Sequence, residues 1–476
     1  MKPLASPLRV VSLFALVLAL PGMAWARAFD TRVLSETNTY CRAPAIAASG
    51  LACWAQISGI SNTENPEASR TDIFISDNGA APVNITGDNP AIAGRISSPF
   101  PFGDSVIFAT GVTEDAEAGY QFALQQPELT DEMQQMSDEY PSLFGTPEAK
   151  AEAAEGQEGG GAEGEGADET EAVQPQKLSD ADLANATPGM TNAIPESRHK
   201  RLRTRHGEGL SIAIRAGDGT TTILTPKEFG FSNPVLGEGH AAFLCSREWP
   251  FGYELVVCDL AGRTLSQLTT NFFYVANPVF SGHRLAFQGW DGNDYEIYLH
   301  DFDTGETTVV TENTFDDIDP KLDGDTLVWV GHPLVTTEIF YYDIPSGNMR
   351  KLSSSSTTAN THPSLWNGKV VWQARDDDGN DTEIFYFDGS RIIKLTSNVW
   401  DDIDPVIRDN VIAWSSYVDL GDAEIMALDL SDNIPVQLSD DASDDKFPVT
   451  AKGFIVWQAD SDDGHSIICI ASPHQE

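Results

Sequence analysis

The sequence predicts an all-β fold, an eight-bladed β-propeller whose blades are four-stranded antiparallel sheets. A repeated proline–aromatic spacing, four strand-like segments per repeat and complementary chain ends support it. The aromatic follows the proline by nine positions in seven repeats and by ten in the first. Self-similarity at a period of this size is typical of propellers. The pairs are Pro44 and Trp54, Pro99 and Phe108, Pro234 and Phe243, Pro278 and Phe287, Pro320 and Trp329, Pro363 and Trp372, Pro405 and Trp414, and Pro448 and Trp457.

Each repeat contains four segments that read as strands. The first follows the proline, the second ends at the aromatic residue, and the fourth ends in a sequence such as Lys-Leu-Thr. The third is apolar at consecutive positions, as in residues 338–343 (EIFYYD). Strands that are apolar on both faces belong to sheets covered on both sides, which a blade between two other blades provides.

The two ends of the chain complement each other. The eighth repeat stops after its third strand, near Ala471, and a lone strand at residues 32–35 precedes the first repeat. We predict that residues 32–35 supply the fourth strand of the last blade, which closes the ring and removes an exposed sheet edge. Seven blades with an irregular first repeat are the alternative.

The predicted organisation begins with a signal peptide at residues 1–26, which has a basic start, an apolar core of eleven residues and an Ala-Trp-Ala cleavage site. We therefore expect export to the periplasm or secretion. Residues 27–112 hold the first blade and part of the second, residues 113–207 an insertion, and residues 208–476 the rest of the propeller.

The insertion at 113–207 lies between the second and third strands of the second repeat. It contains a low-complexity acidic stretch at 155–171, a possible short helix at 127–144 and a basic run at 198–205. It is either a tethered arm or lid whose basic end docks on an acidic surface, a site of proteolytic nicking, or a solvated spacer.

Composition and charge exclude several classes of protein. The 476 residues include 72 Asp and Glu against 29 Lys and Arg, a formal net charge of −43. Nucleic-acid binding is not expected, because phosphates require clustered Lys and Arg. After processing, no apolar stretch is long enough to span a membrane.

The five cysteines are sparse. An oxidising compartment permits disulfides, and the spacings favour Cys41–Cys53 and Cys245–Cys258, each across one hairpin, with Cys469 left over. Buried thiols that behave as small apolar side chains are the alternative.

Carboxylates precede several of the repeat prolines. The sequence Asp-Asp-Ile-Asp stands before Pro320 and Pro405, and an Asp-Asp-Lys-Phe sequence stands before Pro448. Loops that lead into the first strand of each blade ring the mouth of the central channel, so we predict ligand or partner binding there. The predicted residues are Asp317, Asp319, His362, Asp402, Asp404 and Asp445.

The same carboxylates are candidate metal ligands. Crowded negative charges repel one another, and a hard cation such as Ca²⁺, which prefers several oxygen ligands, relieves the repulsion. A basic protein partner attracted by the negative field and turn residues with a structural role alone are the alternatives. The candidate metal ligands are Asp316, Asp317, Asp319, Asp401, Asp402 and Asp404.

Catalytic motifs are missing from the sequence. It contains neither the Gly-x-Ser-x-Gly elbow of hydrolases nor the His-Glu-x-x-His helix of zinc proteases. We therefore name no catalytic residue and expect a protein that is not an enzyme.

The repeat unit Asn-x-x-Asp-Asp-Ile-Asp-Pro, followed by Leu-Val-Trp and Glu-Ile-Phe-Tyr-Tyr-Asp, resembles the TolB-like β-propeller repeats, relatives of WD repeats. The resemblance covers residues 37–112 and 208–471. It implies an exported or periplasmic propeller that binds a protein or another ligand at the channel mouth, often without catalysis. Unlike TolB, this chain has eight repeats and no separate domain after the signal.

The function expected is therefore a monomeric, exported, non-catalytic propeller that binds a protein or carbohydrate ligand at its acidic mouth, with Ca²⁺ as a possible cofactor. A carbohydrate-active lyase or hydrolase of propeller fold and a structural surface protein are the alternatives.

Overall fold

The structure is a computed structural model that describes residues 29–36, 39–58, 70–87, 89–113, 210–226, 229–246, 252–270, 274–333, 336–353, 357–376, 381–418, 422–461 and 464–473. The predicted signal peptide and residues 114–207 of the predicted insertion, with its acidic stretch, helix and basic run, lie outside these residues. Every regular element in the described part of the chain is a β-strand. None of the described residues forms a helix that is long and apolar enough to cross a membrane.

The strands follow the repeat. They are β1 (Phe29–Val33), β2 (Tyr40–Ile46), β3 (Leu51–Ser58), β4 (Arg70–Asp77), β5 (Val83–Asn84), β6 (Ile92–Phe102), β7 (Ser105–Val112), β8 (Ser211–Arg215), β9 (Thr221–Ile223), β10 (Phe231–Leu236), β11 (His240–Ser246), β12 (Tyr253–Asp259), β13 (Thr264–Gln267), β14 (Val275–Ser281), β15 (Arg284–Trp290), β16 (Tyr295–Asp301), β17 (Glu306–Val309), β18 (Asp317–Asp323), β19 (Thr326–Gly331), β20 (Glu338–Asp343), β21 (Asn348–Lys351), β22 (Thr357–Trp366), β23 (Lys369–Asp376), β24 (Thr382–Phe387), β25 (Ile392–Lys394), β26 (Asp402–Arg408), β27 (Val411–Ser416), β28 (Glu424–Asp429), β29 (Pro435–Gln437), β30 (Asp444–Ala451), β31 (Phe454–Asp460) and β32 (Ser466–Pro473).

Four consecutive strands pair in order to form an antiparallel sheet, and six such sheets run from β6 to β29. We call them units 2 to 7 in chain order. The remaining strands form one larger sheet, in which β2–β5 are unit 1 and β30–β32 with β1 are unit 8. This all-β arrangement of successive four-stranded sheets is that of a β-propeller.

Unit 8 takes its fourth strand from the other end of the chain. Strand β1 pairs antiparallel with β32, from Phe29 opposite Pro473 to Val33 opposite Cys469. The paired strand thus begins three residues before the predicted segment 32–35. A single parallel bridge between Tyr40 and Ser466 then joins unit 8 to unit 1.

A hydroxyl after the fourth strand anchors every unit. In units 1 to 7 this Thr or Ser oxygen accepts the N–H of an apolar residue near the start of the third strand, at 2.8–3.0 Å. In unit 8 the same bond is made by Ser35, which follows β1 and accepts the N–H of Ile468 at 3.0 Å. The N-terminal segment therefore supplies in unit 8 the hydroxyl acceptor that, in units 1 to 7, follows the fourth strand of the unit itself.

The core lies between the sheets. Eight apolar clusters among the described residues each combine side chains of two successive units. One of them joins the last unit to the first, since Val456 and Ile468 pack with Trp54 of unit 1. Both faces of the second and third strands are thus covered, which explains their continuous apolar sequences.

The structure corrects both predicted disulfides. No disulfide is present among the described residues. Cys41 lies opposite Gln56 and Cys53 opposite Ala45, so the two are several positions apart along the hairpin and join different clusters. A strand rises about 3.3 Å per residue, whereas a disulfide requires Cα atoms within about 7 Å.

The second pair fails for the same reason. Cys245 lies opposite Glu254 and Cys258 opposite Ala241, which leaves them four positions out of register. A hairpin that looks short in sequence therefore does not bring these cysteines together.

Candidate functional site

The first strand of each unit carries a β-bulge at the repeat proline. In unit 5 the register shifts between Ile318 and Lys321, around Pro320. In seven units the residue before the proline is left-handed, with φ between 48° and 56°. Such angles are uncommon for residues other than glycine, and a bulge redirects the side chain. These pre-proline residues are Ala43, Asn233, Asn277, Asp319, His362, Asp404 and Phe447.

A cavity of about 840 Å³ lies where the first strands of seven units converge. We call it the central cavity. Its wall combines the repeat prolines with apolar side chains and several charged groups. Five of the pre-proline residues line it, namely Ala43, Asp319, His362, Asp404 and Phe447. Three of the six residues predicted for the channel mouth, Asp319, His362 and Asp404, are thus brought together there.

The charges of the central cavity are mixed, whereas the sequence argument expected an acidic mouth. Lys321 Nζ lies 2.5 Å from Asp319 Oδ1, and His362 Nε2 lies 3.6 Å from Asp404 Oδ1. Arg42 also lines the wall. The two predicted carboxylates therefore each lie beside a basic group, and the cavity can contact ligand charges of either sign.

Neighbouring units hold these pre-proline residues in place. The backbone N–H of Asp319 in unit 5 donates to Gln288 Oε1 of unit 4 at 2.9 Å. The N–H of Asp404 in unit 7 donates to Gln373 Oε1 of unit 6 at 2.7 Å. The left-handed backbone is thus fixed from the adjacent sheet, and the cavity wall is organised without a ligand.

The other predicted mouth residues, Asp317, Asp402 and Asp445, lie elsewhere. Each is 1% exposed and none lines the central cavity. Each accepts the indole N–H of the repeat tryptophan, at 2.8 Å from Trp329, 3.1 Å from Trp414 and 2.9 Å from Trp457. The structure therefore corrects their predicted placement, because they are buried acceptors inside the sheets.

Burial changes the acidity of these carboxyls. Loss of solvation raises the pKa of Asp317 and of Asp445 to about 7, although the indole hydrogen bonds oppose the shift. Burial raises the pKa of Asp402 in the same way. Near neutral pH Asp317 and Asp445 are therefore poised between two protonation states, but all three carboxyls are buried and do not line the central cavity.

The sequence contains a signal that certain carboxylates accept a hydrogen bond from the repeat tryptophan, which the predictions above did not use. Units 5 to 8 have Trp as the repeat aromatic, and the residue three positions before the proline is an Asp or, in unit 6, Asn360. Units 2 to 4 have Phe instead, and that residue is apolar (Ile96, Phe231 and Val275). A buried indole N–H requires an acceptor and a phenyl ring does not, so the two positions vary together in units 2 to 8. Unit 1, with Trp54 and Cys41, is the exception.

The predicted metal ligands are divided among three roles. Asp319 and Asp404 line the cavity and Asp317 and Asp402 are buried under tryptophan. Asp316 and Asp401 connect units: Asp316 Oδ1 accepts the N–H of Tyr295 at 3.1 Å, and Asp401 Oδ1 that of Thr382 at 2.7 Å. Within the described residues, the side chains close enough to share an ion are Asp291, Asp294 and Glu296, and His283, Asp301 and Asp303, none of which is among the six candidate metal ligands named above.

His362 is suited to ligand contact. Its side chain is 59% exposed, and its Nδ1 lies 3.2 Å from Thr361 Oγ1. A catalytic histidine is normally oriented by a buried hydrogen-bonded partner on one nitrogen while the other faces the substrate. The open arrangement at His362 instead suits ion pairing and hydrogen bonding with a bound molecule.

Three residues of the cavity wall were missed from sequence. Phe447 replaces the acidic or histidine residue before its proline, and its side chain is 51% exposed. Arg42 stands two positions before Pro44, and Lys321 stands one position after Pro320. Position relative to the repeat proline, rather than chemical type, is the signal that could have found them.

No protein-family model matches the chain, and no curated protein matches it in sequence. Among solved structures it is similar to the β-propeller domain of the Trilobed protease from Pyrococcus furiosus, with 9% identity, 84% of this chain and 98% of that chain covered, and a TM-score of 0.46.

It is also similar to the acylaminoacyl peptidase of Pyrococcus horikoshii, with 11% identity, 89% of this chain covered and a TM-score of 0.46, and spans 57% of that chain. TolB from Acinetobacter baumannii has 13% identity and a TM-score of 0.33, over 57% of this chain and 79% of that chain. At such identities the likeness concerns the propeller fold alone.

Proposed function

We propose that the eight units are the blades of one ring closed by β1, and that the protein binds a segment of another protein in the central cavity without catalysing a reaction. The ring is supported by the pairing of β1 with β32 and by the apolar cluster between unit 8 and unit 1. Closure by strand exchange between the chain ends leaves no open edge in that blade.

The observation that carries the binding proposal is the composition of the cavity wall. Phe447 is 51% exposed and lines the cavity together with Asp404, His362 and Lys321. Large exposed aromatic side chains are costly in water and are enriched at the centres of protein-binding sites. A wall that offers an aromatic surface, both charge signs and rigid backbone suits a peptide segment.

The charge of the whole chain favours a basic partner. The net charge of −43 produces a negative field that attracts cationic ligands over distances of about a Debye length. Inside the cavity, Asp319 and Asp404 can exchange their intramolecular basic partners for a ligand lysine or arginine. We therefore infer a ligand segment that carries basic and apolar side chains.

We also infer export, as the basic start and apolar core of residues 1–26 suggest. A TolB-like binding protein of this kind acts in the periplasm or outside the cell. Detection of a mature protein that begins after Ala26 tests this part of the proposal.

Selection of peptides tests the binding proposal. Full-length protein is immobilised and panned against a random peptide library displayed on phage, and enriched peptides are measured by fluorescence anisotropy. We expect basic peptides with an aromatic or aliphatic residue, whose affinity falls as salt is added. Absence of any enriched peptide contradicts the proposal.

Matched variants locate the binding. Phe447→Asn and Asp404→Asn change the cavity side chains, and asparagine tolerates the left-handed backbone at both positions. We expect each to weaken binding. Val399→Asn changes an apolar side chain that is 77% exposed and lies outside the cavity wall, and should bind normally. Equal binding by all three variants places the ligand elsewhere and rejects the cavity.

A further inference from the structure

The turn between β15 and β16 in unit 4 gathers carboxylates. Asp291, Asp294 and Glu296 each place one oxygen within 4.8 Å of the others. Asp291 is exposed, whereas Asp294 is 4% and Glu296 is 2% exposed. Two of the three charges are therefore removed from water, and their mutual repulsion is only weakly screened.

The buried carboxylates retain oxygens that no group in the described structure contacts. Asp294 Oδ1 accepts from Asn293 Nδ2 at 2.9 Å, and Glu296 Oε1 accepts the N–H of Asn313 at 2.8 Å. Asp294 Oδ2 and Glu296 Oε2 are buried without a hydrogen-bond partner. An oxygen of this kind also occurs on the equivalent glutamates Glu383 and Glu424, so the feature particular to unit 4 is Asp294 Oδ2. A buried acceptor without a partner costs free energy, and this one therefore points to a ligand.

In units 5 and 6 a lysine neutralises the glutamate at this position, whereas units 3 and 7 have a glutamine in place of that lysine. Glu338 occupies the same position as Glu296 in unit 5, and Lys351 Nζ lies 3.0 Å from it. Glu383 occupies it in unit 6, with Lys394 Nζ at 3.2 Å. These lysines stand on the fourth strand, opposite the residue two positions after the glutamate.

Unit 4 lacks that lysine. The position opposite Tyr298, two residues after Glu296, is occupied by Val309. The unit that adds two aspartates to the glutamate is thus the one in which an apolar residue replaces the cation. Neighbouring negative charge increases further, because Asp316 Oδ1 accepts the N–H of Tyr295 between the two buried acids.

We propose that Asp291, Asp294 and Glu296 bind a Ca²⁺ ion, which takes the place of the lysine present in units 5 and 6. The donors are all oxygens and come from a short turn, and Ca²⁺ accepts irregular oxygen geometries that Mg²⁺ does not. The ion joins the turn that carries Asp291 and Asp294 to Glu296 at the start of β16. Because Asp316 accepts the N–H of Tyr295 in the same stretch, the ion also stabilises the contact between units 4 and 5.

Terbium provides the first measurement, since Tb³⁺ binds at Ca²⁺ sites and emits when a nearby aromatic ring transfers energy to it. Trp290 and Tyr295 flank the proposed ligands, with their ring centroids 5.3 Å apart. Full-length protein is stripped with EDTA, and Tb³⁺ emission and the melting temperature with Ca²⁺ are recorded. We expect sensitised emission that Ca²⁺ displaces, and a Tm that rises with Ca²⁺ concentration by mass action.

Three variants separate this site from general cation binding to an acidic protein. Asp294→Asn combined with Glu296→Gln should lose both signals. Glu338→Gln removes the equivalent buried glutamate of unit 5 and should keep both. Val309→Lys should fold normally and lose Ca²⁺ binding, because it supplies the cation that units 5 and 6 contain.

The outcomes decide the proposal. A Tm that does not respond to Ca²⁺, or signals that persist in the Asp294→Asn and Glu296→Gln variant, overturns it. Retained Ca²⁺ binding in Val309→Lys also overturns the assignment to this cluster. An equal rise in Tm with Mg²⁺ rejects Ca²⁺ as the preferred ion.

Discussion

Units 2 to 4 and units 5 to 8 build the same sheet with different interiors. Two sites are compared: the residue three positions before the repeat proline and the repeat aromatic residue. In the first group these are an apolar residue and a phenylalanine, such as Val275 and Phe287. In the second group they are a hydrogen-bonded pair, such as Asp317 and Trp329. The difference shows that a buried indole N–H is matched by a nearby acceptor. Unit 1 meets the same need in another way, because Cys41 stands at the Asp position and Trp54 Nε1 lies 3.5 Å from Gln56 Oε1.

The largest expected effect comes from placing a buried acceptor in unit 4, where the repeat aromatic offers no donor. We call the matching of a buried acceptor with an indole donor the pairing rule. Val275→Asp buries a carboxyl where the neighbouring ring is Phe287 and offers no donor, and we expect a loss of roughly 3 kcal/mol or more in the free energy of unfolding. Urea unfolding followed by tryptophan fluorescence measures it.

Two further variants qualify that result. Val275→Ala serves as the control for lost volume and should cost less. Addition of Phe287→Trp to Val275→Asp restores a donor and should recover part of the loss. A double variant as unstable as the sum of its single changes contradicts the pairing rule.

A smaller effect concerns pH in the tryptophan units. Asp317 and Asp445 have pKa values of about 7 in the folded protein, above the ordinary 3.8 of an exposed aspartate. The folded state therefore binds more protons than the unfolded state between these values, and each group lowers stability as pH rises from about 4 to about 7.

Substitution by asparagine, the residue that unit 6 already has at position 360, removes this dependence. Relative to wild type, Asp317→Asn and Asp445→Asn should gain roughly 2–3 kcal/mol each at pH 8 and progressively less towards pH 5. Melting temperatures across that pH range test the sign. A gain that is independent of pH shows that these carboxyls do not titrate as described.

The smallest effect tests a feature that both groups share, the hydroxyl after the fourth strand. Ser439→Ala in unit 7 and Ser35→Ala in unit 8 each remove an oxygen that accepts a backbone N–H, at 2.9 and 3.0 Å. We expect each to cost about 1 kcal/mol. If β1 were frayed in solution, Ser35→Ala would be neutral in urea unfolding while Ser439→Ala would still destabilise.

The sequence allowed the repeat, the strand order and the role of the N-terminal strand to be predicted, because they depend on spacing and on apolar runs. The environment of each carboxylate in the Asp-Asp-Ile-Asp sequence could not be predicted from spacing and apolar runs. A bulge interrupts the regular alternation of side chains, so Asp316, Asp317 and Asp319 point in three directions. Adjacent residues of one type therefore acquire three separate roles.

The cysteines illustrate a second limit. Spacing along a hairpin does not fix which residues face each other, and the observed register places Cys41 opposite Gln56 rather than near Cys53. The Ca²⁺ proposal arises from comparison between units, since only the alignment of Val309 with Lys351 and Lys394 shows that unit 4 lacks a positive charge.

The contact of β1 with β32 has a consequence for biosynthesis. Ser472 Oγ donates to the carbonyl oxygen of Asp30, a residue 442 positions earlier in the chain. Strand β1 must therefore wait for β32 during synthesis, and unit 8 assembles only after residues 466–473 have been made. An incomplete chain that lacks β32 leaves β1 without its partner, which makes aggregation and proteolysis the expected fate of incomplete copies.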